Sequence, residues 1–139
     1  MRKKKHQRSK SLPMPMYQRL QMMAAPRGAI ENLARNSAID EYQLGSIYAL
    51  AMICRKAANA SGIEYSANPV FALGQRIRRG EAIYEEQIDA CRKNMDECEA
   101  VLKAVSGAVF DAALRDVMVA DEVSVAMRGY GVAEAMAAH

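Results

Sequence analysis

Tryptophan is absent from this chain of 139 residues, and aromatic side chains make up only 6% of it. Apolar residues still reach 51%, so Ala, Met, Leu and Ile must carry the burial. Such a core suits helices, and the valines, concentrated after Val101, show no alternating strand pattern. Histidine is limited to His6 and His139, at opposite ends, which leaves zinc ligation and Cys-His catalysis without local support. The three cysteines are an odd number, each on an apolar helical stripe, and read as buried thiols in a reducing cytoplasm. Cys91 and Cys98 stand about 10 Å apart along one helix, too far for a mutual bridge. No run approaches 18 apolar residues, which argues against a membrane span.

Acidic residues are missing from the whole stretch before Glu31. Residues 1 to 19 carry Arg2, Lys3, Lys4, Lys5, Arg8, Lys10 and Arg19, while the other 120 residues hold twelve basic and sixteen acidic groups. The net charge of +3 therefore conceals a basic arm on a mildly acidic body. Residues 1–15 read as a flexible arm, disordered until it meets a polyanion, and 16–139 as a single helical domain. Leu12-Pro13-Met14-Pro15-Met16 is interrupted by prolines and offers no apolar core for a secretory signal.

What is present most clearly is helical spacing. Tyr84, Ile88, Cys91, Met95, Cys98, Leu102, Val105 and Val109 follow one another at steps of four and three, with charged residues between them. We expect an all-α helical bundle with one long amphipathic helix over about 70–105, packed on a helix at about 40–60. Unbroken, the seam helix would be roughly 40 Å long, which suggests a long hairpin or an intermolecular coiled coil. Gly80 and Ser106-Gly107 are the places where it could bend or stop. Tyr84, Ile88, Cys91, Met95, Cys98 and Leu102 are the candidate interface residues.

Shorter elements complete the expectation. Met16 to Ala25 reads as a helix ending ahead of Pro26, Ala29 to Arg35 as a second, and Asn36-Ser37 as a turn. Asp40 with Gln43 forms a capping box for a helix bearing Leu44, Ile47, Ala51, Cys54 and Ala58, closed at Gly62. Asn68 reads as the next cap, with Pro69 at the first helical position. Another core helix follows Gly107, and Asp121 opens a last short one. The ten methionines read as flexible filling between helices or as an adaptable binding surface.

The functional candidates follow from charge. Arg2, Lys3, Lys4, Lys5, Arg8 and Lys10 can release counterions from DNA or RNA and give salt-sensitive attraction blind to sequence. Arg76, Arg78 and Arg79 form a second basic cluster that extends such a surface or serves as a solvated turn answered by Glu81 and Glu85. Glu85, Glu86, Asp89, Asp96 and Glu97 lie on a solvent face and form no pocketed carboxylate pair. No nucleotide loop or nucleophile motif is present, since Gly129-Tyr130-Gly131 follows no strand and lacks Walker residues. No cofactor, metal, small-molecule substrate, membrane partner or enzymatic activity is expected.

Met1-Arg2-Lys3-Lys4-Lys5 with a proline-bearing linker, and Arg35 to Asp40 leading to Ala49-Leu50-Ala51-Met52, resemble short phage and prophage proteins of Gram-negative bacteria. The resemblance covers at most half the chain and transfers no catalytic residue. It implies regulation of phage or prophage genes, including antitermination-like roles. The expected function is an accessory regulator whose arm meets nucleic acid, DNA before RNA, or a transcription complex, while the body docks protein or forms an oligomer. The alternative is a helical interaction or structural module, such as a virion component or an inhibitor of a host protein.

Overall fold

Asp40 starts the helix around which the molecule is built. In a computed structural model that describes residues 11–119 and 123–127, its carboxylate accepts from Gln43 N–H at 2.8 Å, and Gln43 Oε1 accepts from Asp40 N–H at 3.1 Å. The expected capping box is therefore formed. The described elements are α1 (Met16–Ala34), α2 (Glu41–Ala60), α3 (Asn68–Arg78), α4 (Glu85–Ala104) and α5 (Gly107–Val119), with a further helical turn at 123–127. No strand occurs among the described residues, and the fold is an all-α bundle.

The centre of the bundle is α2. Leu44, Ile47, Tyr48, Leu50, Ala51, Met52, Ile53, Cys54, Ala57 and Ala58 are all buried, so its apolar surface wraps most of its circumference. Such a helix needs cover on several sides. It packs against α1, α3, α4 and α5, while α1 and α3 also pack on α4. Gly62, at φ +67°, ends it by letting Ile63 N–H reach back to the Ala58 carbonyl at 2.8 Å.

The expected seam helix is interrupted at both of its weak points: it is divided at Gly80, and α4 ends at Ala104, ahead of Ser106-Gly107. Gly80 takes φ +66°, and Glu81 N–H returns to the Arg76 carbonyl at 2.9 Å, which closes α3 before α4 begins. The two helices then fold back on each other: Cys91 Sγ donates to the Pro69 carbonyl at 3.5 Å, so α3 lies antiparallel along the first half of α4. Ile88, Cys91, Met95, Cys98 and Leu102 are at most 4% exposed and face the chain's own helices. Tyr84 leaves the seam and is 58% exposed.

Pro26 does not end the first helix. α1 runs through it from Met16 to Ala34, with Pro26 buried on its inner face beside Met23, Ala29 and Ile30. Proline removes one helical hydrogen bond, but here burial of its ring against the core offsets that loss. The turn at Asn36 is left-handed, with φ +61°. Asn68 is the first helical residue of α3 and Ala67 its cap, one position earlier than the sequence suggests. Asp121 lies outside the described residues, whereas Met127 in the turn that follows is buried and its sulfur would lie 3.8 Å from a Cβ at Gly45.

Two glycines show what packing demands. A Cβ on Gly74 would overlap the hydroxyl and ring of buried Tyr48, so α3 approaches α2 closely only because that position lacks a side chain. A Cβ on Gly28 of α1 would meet nothing within 4 Å. We therefore expect Gly74→Ala to lower unfolding stability by about 1–3 kcal/mol. Gly28→Ala should raise it by about 0.4–1 kcal/mol. Both are read from urea midpoints at constant slope.

Candidate nucleic-acid interface

Arg2, Lys3, Lys4, Lys5, Arg8 and Lys10 lie outside the described residues, but the point where the leader joins the body is defined. Met14 is buried, Arg19 Nη1 donates to its carbonyl at 2.7 Å, and Gly107 N–H donates to the Leu12 carbonyl at 2.7 Å. The body therefore begins at about Leu12 rather than after residue 15. The leader departs beside the C-terminus of α4 and the N-terminus of α5. Arg19 and Lys103 belong to the same end, and Lys103 Nζ pairs with Glu99 at 3.4 Å.

Arg76, Arg78 and Arg79 sit at the opposite end of α4. A helix of 20 residues separates the two places by about 30 Å. The cluster is also largely answered by its own turn: Arg76 Nη1 donates to the Ala82 carbonyl at 3.0 Å and lies 3.8 Å from Glu81, and Arg79 lies 3.7 Å from Glu81. Arg76 also covers the ring of Tyr84 at 5.6 Å. The structure thus does not bring the second basic cluster to the root of the arm.

Two further arginines are committed to holding α1 on α4. Arg27 Nη2 reaches Asp96 and Glu99, both at 3.0 Å. Arg92 meets Glu31 at 2.7 Å and Asp89 at 2.9 Å. Residue numbers rise along α1 as they fall along α4, which makes the pair antiparallel and explains the acidic face of α4. Its acids are partners for α1 as well as a solvated surface. The Arg92 guanidinium hydrogen-bonds Glu31 and holds its carboxyl below the ordinary value of 4.5.

Three features escaped the sequence reading. Leu12, Met16, Tyr17 and Leu20 form an exposed apolar stripe, between 57% and 67% exposed, at the root of the arm. Its signal was available, because the Met16 to Ala25 segment is apolar on more than one helix face. A shallow groove of about 260 Å³ between α2 and α5 is lined by alanines, with Lys56 and Asp116 at its edge. The third feature is polar and buried: Tyr65 O–H donates to Asn94 Oδ1 at 2.7 Å, and Asn94 Nδ2 donates to the Ser66 carbonyl at 2.7 Å. Asn94 is 1% exposed, and these bonds anchor the 61–67 connection to α4. Long-range contacts of this kind leave no periodic trace in a sequence.

Among the described residues, no three His, Cys, Asp or Glu side chains gather as a metal site, and no helix is long and apolar enough to cross a membrane. Comparison of the chain with protein-family models, with curated proteins and with solved structures finds no match.

Removing the Asn94 side chain strands the Ser66 carbonyl and takes from the Tyr65 hydroxyl its oxygen acceptor, so Asn94→Ala should cost about 1–3 kcal/mol in chemical denaturation. For Glu31 the folded value lies below the unfolded one. Its pairing with Arg92 therefore stabilises fully above about pH 4.5 and fades as pH falls through the lowered value. Glu31→Gln should flatten this part of the acid limb of the melting curve, and 1 M NaCl should shrink the difference between the two proteins.

Proposed function

We propose that the protein is an accessory regulator that engages nucleic acid, DNA in preference to RNA, through its basic leader. The helical body then positions that contact within a larger complex in the cytoplasm. The observation that carries this reading is the segregation of charge: six cations occupy residues 1–10 with no acid before Glu31, whereas Arg27, Arg76, Arg79 and Arg92 of the body are paired with its own carboxylates. A run of cations with no carboxylate in its own stretch of sequence is suited to displace the counterions of phosphates. The tie between Leu12 and Gly107 supports it further, since a tethered arm delivers its charge at a defined edge of the body. The resemblance of its opening residues to phage proteins favours a role for such a contact in the control of phage or prophage genes, of which antitermination is one form.

A second reading is favoured by the exposed Leu12, Met16, Tyr17 and Leu20, which phosphate does not need. In it the body is a docking module, and the arm only improves the encounter with an acidic protein or contacts packaged DNA.

Deleting residues 1–10 separates the two. The first reading expects loss of duplex binding at 50 mM salt with an unchanged melting temperature, and for the intact protein a log–log salt slope of about −5 for six phosphate contacts. Replacing Lys3, Lys4 and Lys5 by Ala should reduce that slope by about 2–3. Duplex retention without the arm would reject the proposal. Tyr17→Glu with Leu20→Glu should leave duplex binding intact on the first reading and abolish partner retention on the second.

A further inference from the structure

The outer side of α1 is left uncovered by the other described elements. Met16, Tyr17 and Leu20 are each more than half exposed, and Gln21, Ala24 and Gly28 are exposed after them. At about 3.6 residues per turn, Tyr17, Ala24 and Gly28 fall on one stripe, with Leu20 and Gln21 at its two flanks. The inner side of the helix is already spent. Met23, Pro26, Ala29 and Ile30 are buried, while Arg27 and Glu31 are tied to α4. The leader cannot cover the stripe, since Met1 is the only apolar residue in 1–10.

We infer that this face of α1 pairs with the same face of a second copy of the chain, the two helices lying antiparallel about a two-fold axis. Size along the stripe is the first argument. Its early positions are large, at Met16, Tyr17 and Leu20, and its later ones small, at Ala24 and Gly28, where an added Cβ would meet nothing within 4 Å. A two-fold axis passing between Gln21 and Ala24 sets Tyr17 of each copy over Gly28 of the other, and Leu20 over Ala24. Each bulky side chain meets a hollow, and the small residues let the helices approach to about 8 Å. Charge is the second argument. None of these six side chains is ionised, so pairing a surface with itself opposes no like charges. The antiparallel order also sends the two leaders, with six cations each, from opposite ends of the pair, roughly 20 Å apart at their roots. A parallel order would crowd all twelve at one end. One helix pair is a small contact, so the dimer is weak and reversible. The pairing names the occupant of the apolar face and does not depend on what the leader binds. Its use does: resting on the proposed engagement of nucleic acid, the dimer holds two duplex segments at once, each through one leader.

The full-length protein, free of nucleic acid, is followed by sedimentation velocity from about 1 to 200 μM. The mass should rise from one chain toward two, with a Kd on the order of 10 μM. Ala24→Glu and Leu20→Lys, each at an exposed position, should leave the circular dichroism melt unchanged and weaken pairing at least about tenfold. Mixed one to one, they should pair again, because the introduced lysine of one chain faces the introduced glutamate of the other while the remaining Leu20 to Ala24 contact is kept. Parallel helices would give no such rescue. In the unsubstituted chain, amide exchange over 16–28 should slow as concentration rises, which decides even if a variant fails to fold. A single chain throughout the range, a dimer indifferent to both substitutions, or no recovery on mixing would each overturn the inference. A dimer that ignores duplex would uphold the pairing and remove only the proposed function, whereas a monomer that binds duplex through its leader would remove the pairing alone.

Discussion

Between Leu44 and Ala58, α2 carries apolar or small side chains on nearly every side, so no single neighbour can shield it from water. Everything else in the described chain follows from covering that surface. α1 and α5 take two sides, and α3 and α4 close the rest. Burial of this order dominates the favourable side of folding for a small domain, and it is only weakly directional. Direction comes from details: the missing side chain at Gly74, which lets Tyr48 sit against α3, and the ion pairs that set α1 antiparallel to α4.

The charges divide along the same lines. Body cations at Arg27, Arg76, Arg79 and Arg92 find carboxylates within 4 Å, most of them partly exposed and individually weak. Their value lies in register rather than in strength, since Arg27 and Arg92 each reach two acids. The leader is different in kind, with no acid of its own to meet. Its cations stand in a run of the sequence that holds no carboxylate before Glu31, whereas those of the body lie among the body's own acids.

The buried cluster at Tyr65, Asn94 and Cys98 shows the opposite economy. Polar groups inside a bundle must be satisfied locally, and here one amide serves both a hydroxyl and a backbone carbonyl. That arrangement fastens an irregular connection onto a regular helix. Cys98, one turn further along α4, touches the same hydroxyl through its sulfur and accepts at its carbonyl from the Cys54 thiol of α2.

How much was legible in the residues depends on the range of the interaction. Three- and four-residue periodicity, the Asp40 box, the Gly62 stop and the weakness at Gly80 are local, set by backbone geometry and neighbouring side chains, and they appear in the structure as read. The continuous α1 through Pro26 does not, because its continuity rests on burial against the core rather than on its own turn. The seam of Ile88, Cys91, Met95, Cys98 and Leu102 was recognisable as a surface to be buried, but its spacing is equally good for a neighbour in the same chain or in another. Folding spent it internally once α3 turned back at Gly80. The amino-acid order by itself determined an all-helical body with a segregated basic leader, since helix periodicity and charge are written in consecutive residues. Only the tertiary structure decided which cations are already paired, that Arg76 to Arg79 lie far from the root of the leader, and that Cys54 meets Cys98, because those facts depend on which helices come to lie side by side.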